Sequence, residues 1–143
     1  MEYNNKILFL AVLIILVGVI AFNFNSISGR ATIQTPQISV SPRVVEFTLG
    51  PNGYGSEGVT FSFNAPDGVD RDAYLFYKSS NYMKRVGGYI NAINLCNRNT
   101  CTTGSATVYL SGDLEVLKPG YYTLGVTRKD RTFYSDEFFV RYS

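Results

Sequence analysis

Beyond residue 36 the chain alternates apolar and polar residues in short runs, separated by clusters of Gly, Pro, Asn and Asp. A period of two belongs to strands that turn one face to a core. The cleanest run, Val59 to Asn64, predicts a strand burying Val59, Phe61 and Phe63, and the same parity sets Ala106, Val108 and Leu110 on a buried face. Val45, Phe47 and Leu49 alternate with Val44, Glu46 and Thr48. Pro42 lacks the N–H that a ladder needs, so the first strand is expected to split in two around it.

Ala73 to Lys78 is apolar at both parities, as expected of a central strand, and its facing is left open by the pattern. Tyr82 to Val86 and Tyr89 to Leu95 read as shorter strands joined through Gly87-Gly88. A tight turn at Lys129-Asp130-Arg131 pairs Tyr121 to Thr127 with a closing strand from Thr132 to Arg141. No stretch after residue 36 keeps a helical period for three turns, which removes the crossover helices of a βαβ fold. The expectation is an all-β sandwich of seven or eight antiparallel strands over residues 37–143.

The start of the chain follows another rule. From Ile7 to Phe22 it is apolar throughout, and no charge falls between Lys6 and Arg30. With no polar stripe, this segment does not suit a soluble core helix. It exceeds a usual signal core of about 7–15 residues yet falls short of the ~20 that span a bilayer comfortably. Taken through Phe24, a helix would reach about 27 Å, close to a thin hydrocarbon core. Val19-Ile20-Ala21 and Ser26-Ile27-Ser28 offer the small or acceptable residues that a signal peptidase reads, so residues 1–28 are a signal-anchor or a cleaved signal peptide, followed by a linker over 29–36. Lys6 and the amino terminus favour leaving the short head in the cytoplasm, which puts the domain on the extracytoplasmic side of the cell membrane, or outside the cell after cleavage. The first Cys is Cys96, too late for lipoprotein acylation, and Lys6 meets Ile7 directly, unlike a pilin processing site.

Leu117-Lys118-Pro119-Gly120-Tyr121-Tyr122-Thr123-Leu124-Gly125-Val126 resembles the approach to strand F in immunoglobulin-like and fibronectin type III-like sandwiches. The resemblance implies that Tyr122 forms a tyrosine corner with Gly120 and Leu117, its hydroxyl bonding back to upstream backbone. Leu124 stands where antibody domains carry a second Cys, and the chain has no Trp, so the likeness is to the wider superfamily. A superfold does not name a function.

Chemistry narrows the picture mainly by exclusion. The chain of 143 residues contains no His, which removes the usual general base and the commonest zinc ligand. Thirteen Lys and Arg stand against eleven Asp and Glu, scattered along the chain, so no nucleic-acid footprint appears. Cys96 and Cys101 are close enough to bridge, and two thiols without His are too few for zinc, so a disulfide and an oxidising compartment are expected. Asp67, Asp70 and Asp72 depart from a calcium-loop spacing. The neighbouring acids Asp113 with Glu115 and Asp136 with Glu137 do not suit the two carboxyls across a cleft that glycoside hydrolysis needs.

Eleven Tyr exceed what a small core uses, and Tyr54, Tyr82, Tyr89, Tyr109 and Tyr134 are candidates for an exposed binding surface. Simple strand propensity also accounts for Tyr at such positions. The reading is a non-catalytic, membrane-tethered Ig-like binding or scaffold module without cofactor or metal. Its expected partner is another cell-surface protein or a glycan. A secreted carbohydrate-binding module and a subunit of a surface filament or secretion assembly are the alternatives.

Overall fold

The structure, a computed structural model, describes Gln34 to Ser143 apart from residues 88, 89 and 91. The apolar N-terminal segment, with its choice of anchor or signal, and the linker up to residue 33 lie outside the described residues, as does Tyr89. Every regular element among the described residues is a strand, and no helix there is long and apolar enough to cross a membrane.

Two sheets carry the core. The smaller places β5 (Ser56–Asp70) between β1 (Gln37–Ser41) and β9 (Thr100–Ser111), antiparallel on both sides. The larger runs β2 (Val44–Phe47), β12 (Phe138–Tyr142), β10 (Gly120–Arg128), β6 (Asp72–Lys78), β7 (Met83–Arg85). β11 (Arg131–Tyr134) lies beside the far half of β10, and β8 (Ile93–Asn94) beside the near end of β6. A hairpin of β3 (Leu49–Gly50) and β4 (Gly53–Tyr54) stands apart.

Alternation explains the packing. Val59, Phe61 and Phe63 are buried on β5 and face Leu75 of β6, Tyr122 and Leu124 of β10, and Phe138 and Val140 of β12 within one core. Phe61 and Phe138 meet across the two sheets, edge to face, with centroids 5.9 Å apart. This layering is consistent with a β-sandwich.

Several expectations are corrected. The first strand divides at Pro42, as its missing N–H suggests, and its halves join different sheets: β1 pairs with β5, while β2 runs parallel to β12. The strands are therefore not all antiparallel. Leu49 does not share the buried face of Val45 and Phe47, because β2 stops at Phe47 and the chain turns into the β3–β4 hairpin, leaving Leu49 exposed. The two short strands expected on either side of Gly87-Gly88 cover only Met83–Arg85 and Ile93–Asn94, less than their apolar runs, and both pair with β6. Ala106 and Val108 are only half-buried, since β9 is an edge strand of its sheet and its inner face is covered less completely than that of β5.

The closing strand is also broken, between Tyr134 and Phe138. Ser135 turns its hydroxyl into the ladder, accepting the Leu124 N–H at 2.9 Å and donating to the Asp136 carbonyl at 2.6 Å. Thr123 donates to the Ser135 carbonyl at 2.9 Å, so this buried polar knot is satisfied where a regular strand would have continued.

Candidate interaction face

The strands of the larger sheet send alternate residues inward and outward, and the outward set mixes apolar and aromatic side chains with a few charged ones. Cross-strand register puts Val44 beside Phe139, Phe139 beside Tyr121, Tyr121 beside Lys78, and Lys78 beside Met83. At about 4.8 Å per strand this row crosses about 19 Å of sheet. Val44 is 49% exposed, Tyr121 53% and Met83 39%, and the Tyr121 and Phe139 rings lie 4.8 Å apart. Lys78 interrupts the row and is paired with Glu137.

A second aromatic group adjoins it. Phe76 and Tyr134 meet edge to face at 5.4 Å, and the Arg85 guanidinium sits 3.5 Å above the Tyr74 ring. Gly125 makes room for this, since a Cβ there would collide with the Phe76 ring. On the far rim, Arg141 donates to Glu46 at 2.5 Å. That hydrogen bond above all, helped by the guanidinium charge and a bond from Ser143, holds the Glu46 carboxyl below its ordinary range against the opposing effect of desolvation.

The residues singled out from sequence stand in separate places. Tyr122 is buried, its hydroxyl donating to the Lys118 carbonyl at 2.8 Å and its ring between Tyr77 and Phe138. Leu117 is buried beneath it, and Gly120 takes φ +148, where a Cβ would lie 2.7 Å from the Tyr77 ring. Cys96 and Cys101 form the disulfide, which closes the loop between β8 and β9. Tyr82 is exposed on the β6–β7 connection, Tyr109 on the outer face of the smaller sheet, and Tyr134 beside Phe76. Tyr54 is half-buried and packs edge-on against Tyr142 at 4.7 Å.

Sequence reasoning passed over Tyr121, Phe139, Val44 and Met83. The signal was available for Tyr121: once Tyr122 is assigned to the core, parity turns its neighbour outward. Phe139 and Val44 needed the parallel β2–β12 register, which no local pattern carries.

The acids are held apart. Asp67 accepts from Arg128 at 3.0 Å, Asp72 from Arg71 at 2.9 Å and Asp136 from Arg43 at 2.8 Å, while Asp113 caps the Glu115 N–H. Among the described residues no three Cys, Asp or Glu side chains gather as a metal site. A cleft of about 460 Å³ opens beside Tyr77, Tyr82, Lys84 and Lys118, with Glu115 as its acid. No protein-family model matches the chain, and no curated protein matches it.

Proposed function

We propose that the chain is a non-catalytic, membrane-tethered Ig-like module displayed on the extracytoplasmic side, which binds another surface protein through the outer face of its larger sheet. The carrying observation is the row across that sheet in which Val44, Tyr121 and Met83 are exposed and Phe139, between Val44 and Tyr121, is half-buried. Apolar side chains in one row, broken at Lys78 where its charge is met by Glu137 and bordered by the Arg141–Glu46 pair, have the make-up of a contact patch with polar elements.

The Ig-like reading draws support from three features together: a first strand that changes sheets at Pro42, the sheet orders β1-β5-β9 and β2-β12-β10-β6-β7, and the Tyr122 hydroxyl bonded to Lys118. Display outside the cytoplasm draws on the disulfide and on the apolar segment at residues 7–22. A saccharide platform has less to build on, because Tyr109 and Tyr134 lie on different sheets and Tyr54 is half-buried.

The test is site-specific photocrosslinking in cells that make the full chain. A photoreactive residue at Tyr121 should capture a discrete protein, whereas the same group at Thr60, on the other sheet, should not. Equal capture at both positions, or none at Tyr121, would sink the reading. Protease added to intact cells should reach the domain; full protection would overturn its placement.

A further inference from the structure

The edges of the two sheets are not treated alike. A free edge offers unpaired N–H and C=O groups to any passing strand, and proteins blunt it with short strands, Lys, Pro or bulges. β7 is three residues long, two of them Lys84 and Arg85. β2 is four residues, preceded by Pro42 and Arg43 and carrying Glu46. β1 is five residues between Pro36 and Pro42. β9 has twelve residues, and from Asn99 to Gly112 the chain holds no Asp, Glu, Lys, Arg or Pro. Among the described residues no strand pairs with its outer side.

The face that borders the middle of β9 is equally neutral. The outward positions there, Ser39, Thr60, Ser62, Ser105 and Thr107, are uncharged, and Asp70 stands at the far end of the sheet opposite Thr100. The hydroxyls of Thr60 and Thr107 are bonded at 2.9 Å. Tyr109 is 74% exposed above this surface.

We infer that β9 is a strand-addition edge, and that its occupant is β9 of a second copy, paired antiparallel about a twofold axis. Self-pairing sets each residue against its own sequence reversed, so a charged strand would confront itself with like charges; this one has none to oppose. With the axis at Ala106, Gly104 lies opposite Val108, Ser105 opposite Thr107 and Thr103 opposite Tyr109, so the bulky Val108 and Tyr109 meet small or short side chains. The contact is isologous and closes on itself. It joins the two smaller sheets into one, β1-β5-β9-β9-β5-β1, with both core faces on the same side. This surface is separate from the aromatic face of the proposed function, so either can fail without the other.

The chain's two cysteines are bonded to each other, so one added thiol reports alone. The full chain in non-ionic detergent, carrying Thr107→Cys, is treated with a short bismaleimide, alongside Ser39→Cys on the far side of the same sheet. Thr107→Cys should give about tenfold more covalent dimer than Ser39→Cys, and adding Ser105→Lys should abolish that excess. Equal yields at the two positions, a monomeric Thr107→Cys protein, or an excess that survives Ser105→Lys overturns the inference. A foreign strand as the true occupant would show as the monomeric outcome. The contrast between Thr107 and Ser39 stands even if Ser105→Lys fails to fold.

Discussion

Tyr122 and Tyr142, on adjacent strands, donate their hydroxyls to consecutive carbonyls, Lys118 at 2.8 Å and Leu117 at 2.6 Å. The connection from β9 to β10 is thus held from beneath at two neighbouring peptide groups. Its upstream part is bound from within, with the Leu117 N–H donating to the Asp113 carbonyl at 2.6 Å and the Glu115 N–H to the Asp113 carboxylate at 2.9 Å. Leu117 itself is fully buried, so the loop is a packed part of the core with a hydrogen-bonded roof.

Removing either hydroxyl should therefore loosen that roof while keeping the ring. Tyr122→Phe and Tyr142→Phe are each expected to cost about 1 kcal/mol, the cost of deleting a part-buried hydrogen bond. Because both act on one loop, the double variant should cost less than the sum. Urea denaturation followed by circular dichroism measures this, and an unchanged midpoint in both single variants would count against the account.

Gly112 sits where the chain leaves β9, with its N–H donating to the Gly55 carbonyl at 2.9 Å. A Cβ there would overlap the Cβ of Tyr54 and press on the buried Phe47 ring at 3.0 Å. Neither can swing away cheaply, so Gly112→Ala should destabilise by about 1–3 kcal/mol, the usual cost of overpacking. Gly53→Ala does not test this, because its strain comes from backbone conformation at φ 91 with open space around it. A Gly112→Ala midpoint within error of the parent would refute the crowding.

The Cys96–Cys101 bridge closes a loop of sequence separation 5. Chain entropy assigns so small a ring about 2 kcal/mol, so reduction should lower the melting temperature without unfolding the domain at 25 °C. Thermal scans with and without reductant provide the measurement. Complete unfolding on reduction at that temperature would mean that the bridge supports far more than its own loop.

Acid should act visibly at Glu46. Its folded carboxyl titrates below the ordinary value because Arg141 donates to the charged form. The resulting stabilisation is present above the unfolded carboxylate range and is lost as pH falls through the lowered folded value. Carboxyl-detected NMR should find Glu46 titrating below the free-carboxylate midpoint, and Arg141→Ala should return it there. An Arg141→Ala variant with an unmoved Glu46 midpoint would remove the assigned cause.

Periodicity reads facing well and partnership poorly. The buried set Val59, Phe61 and Phe63 follows from alternation alone, because β5 is covered on both sides and its inner face lies against a full sheet. Leu49 obeys the same alternation and is exposed, since parity persists after the strand that gave it meaning has stopped. The row Val44–Phe139–Tyr121 joins residues nearly a hundred positions apart in sequence, through pairings set by topology. Pro119-Gly120 directs attention to Tyr122, but no local signal points to Tyr142. The break at Ser135 is hidden for a different reason: Ser suits a strand's outer face, and only its bonds to Leu124 and Asp136 show why the ladder stops.

The parallel run of β2 beside β12 also decides how the domain bears load. Pulled from its two ends, the chain draws β2 and β12 in opposite directions along their shared axis. The four register pairs from Phe139–Val44 to Tyr142–Phe47 are then loaded in shear and must yield together, whereas the β10–β11 hairpin would peel one pair at a time. Once β1 has been drawn off β5, tension between the ends of this domain meets this clasp, and single-molecule extension should record a high-force rupture that Val45→Pro lowers.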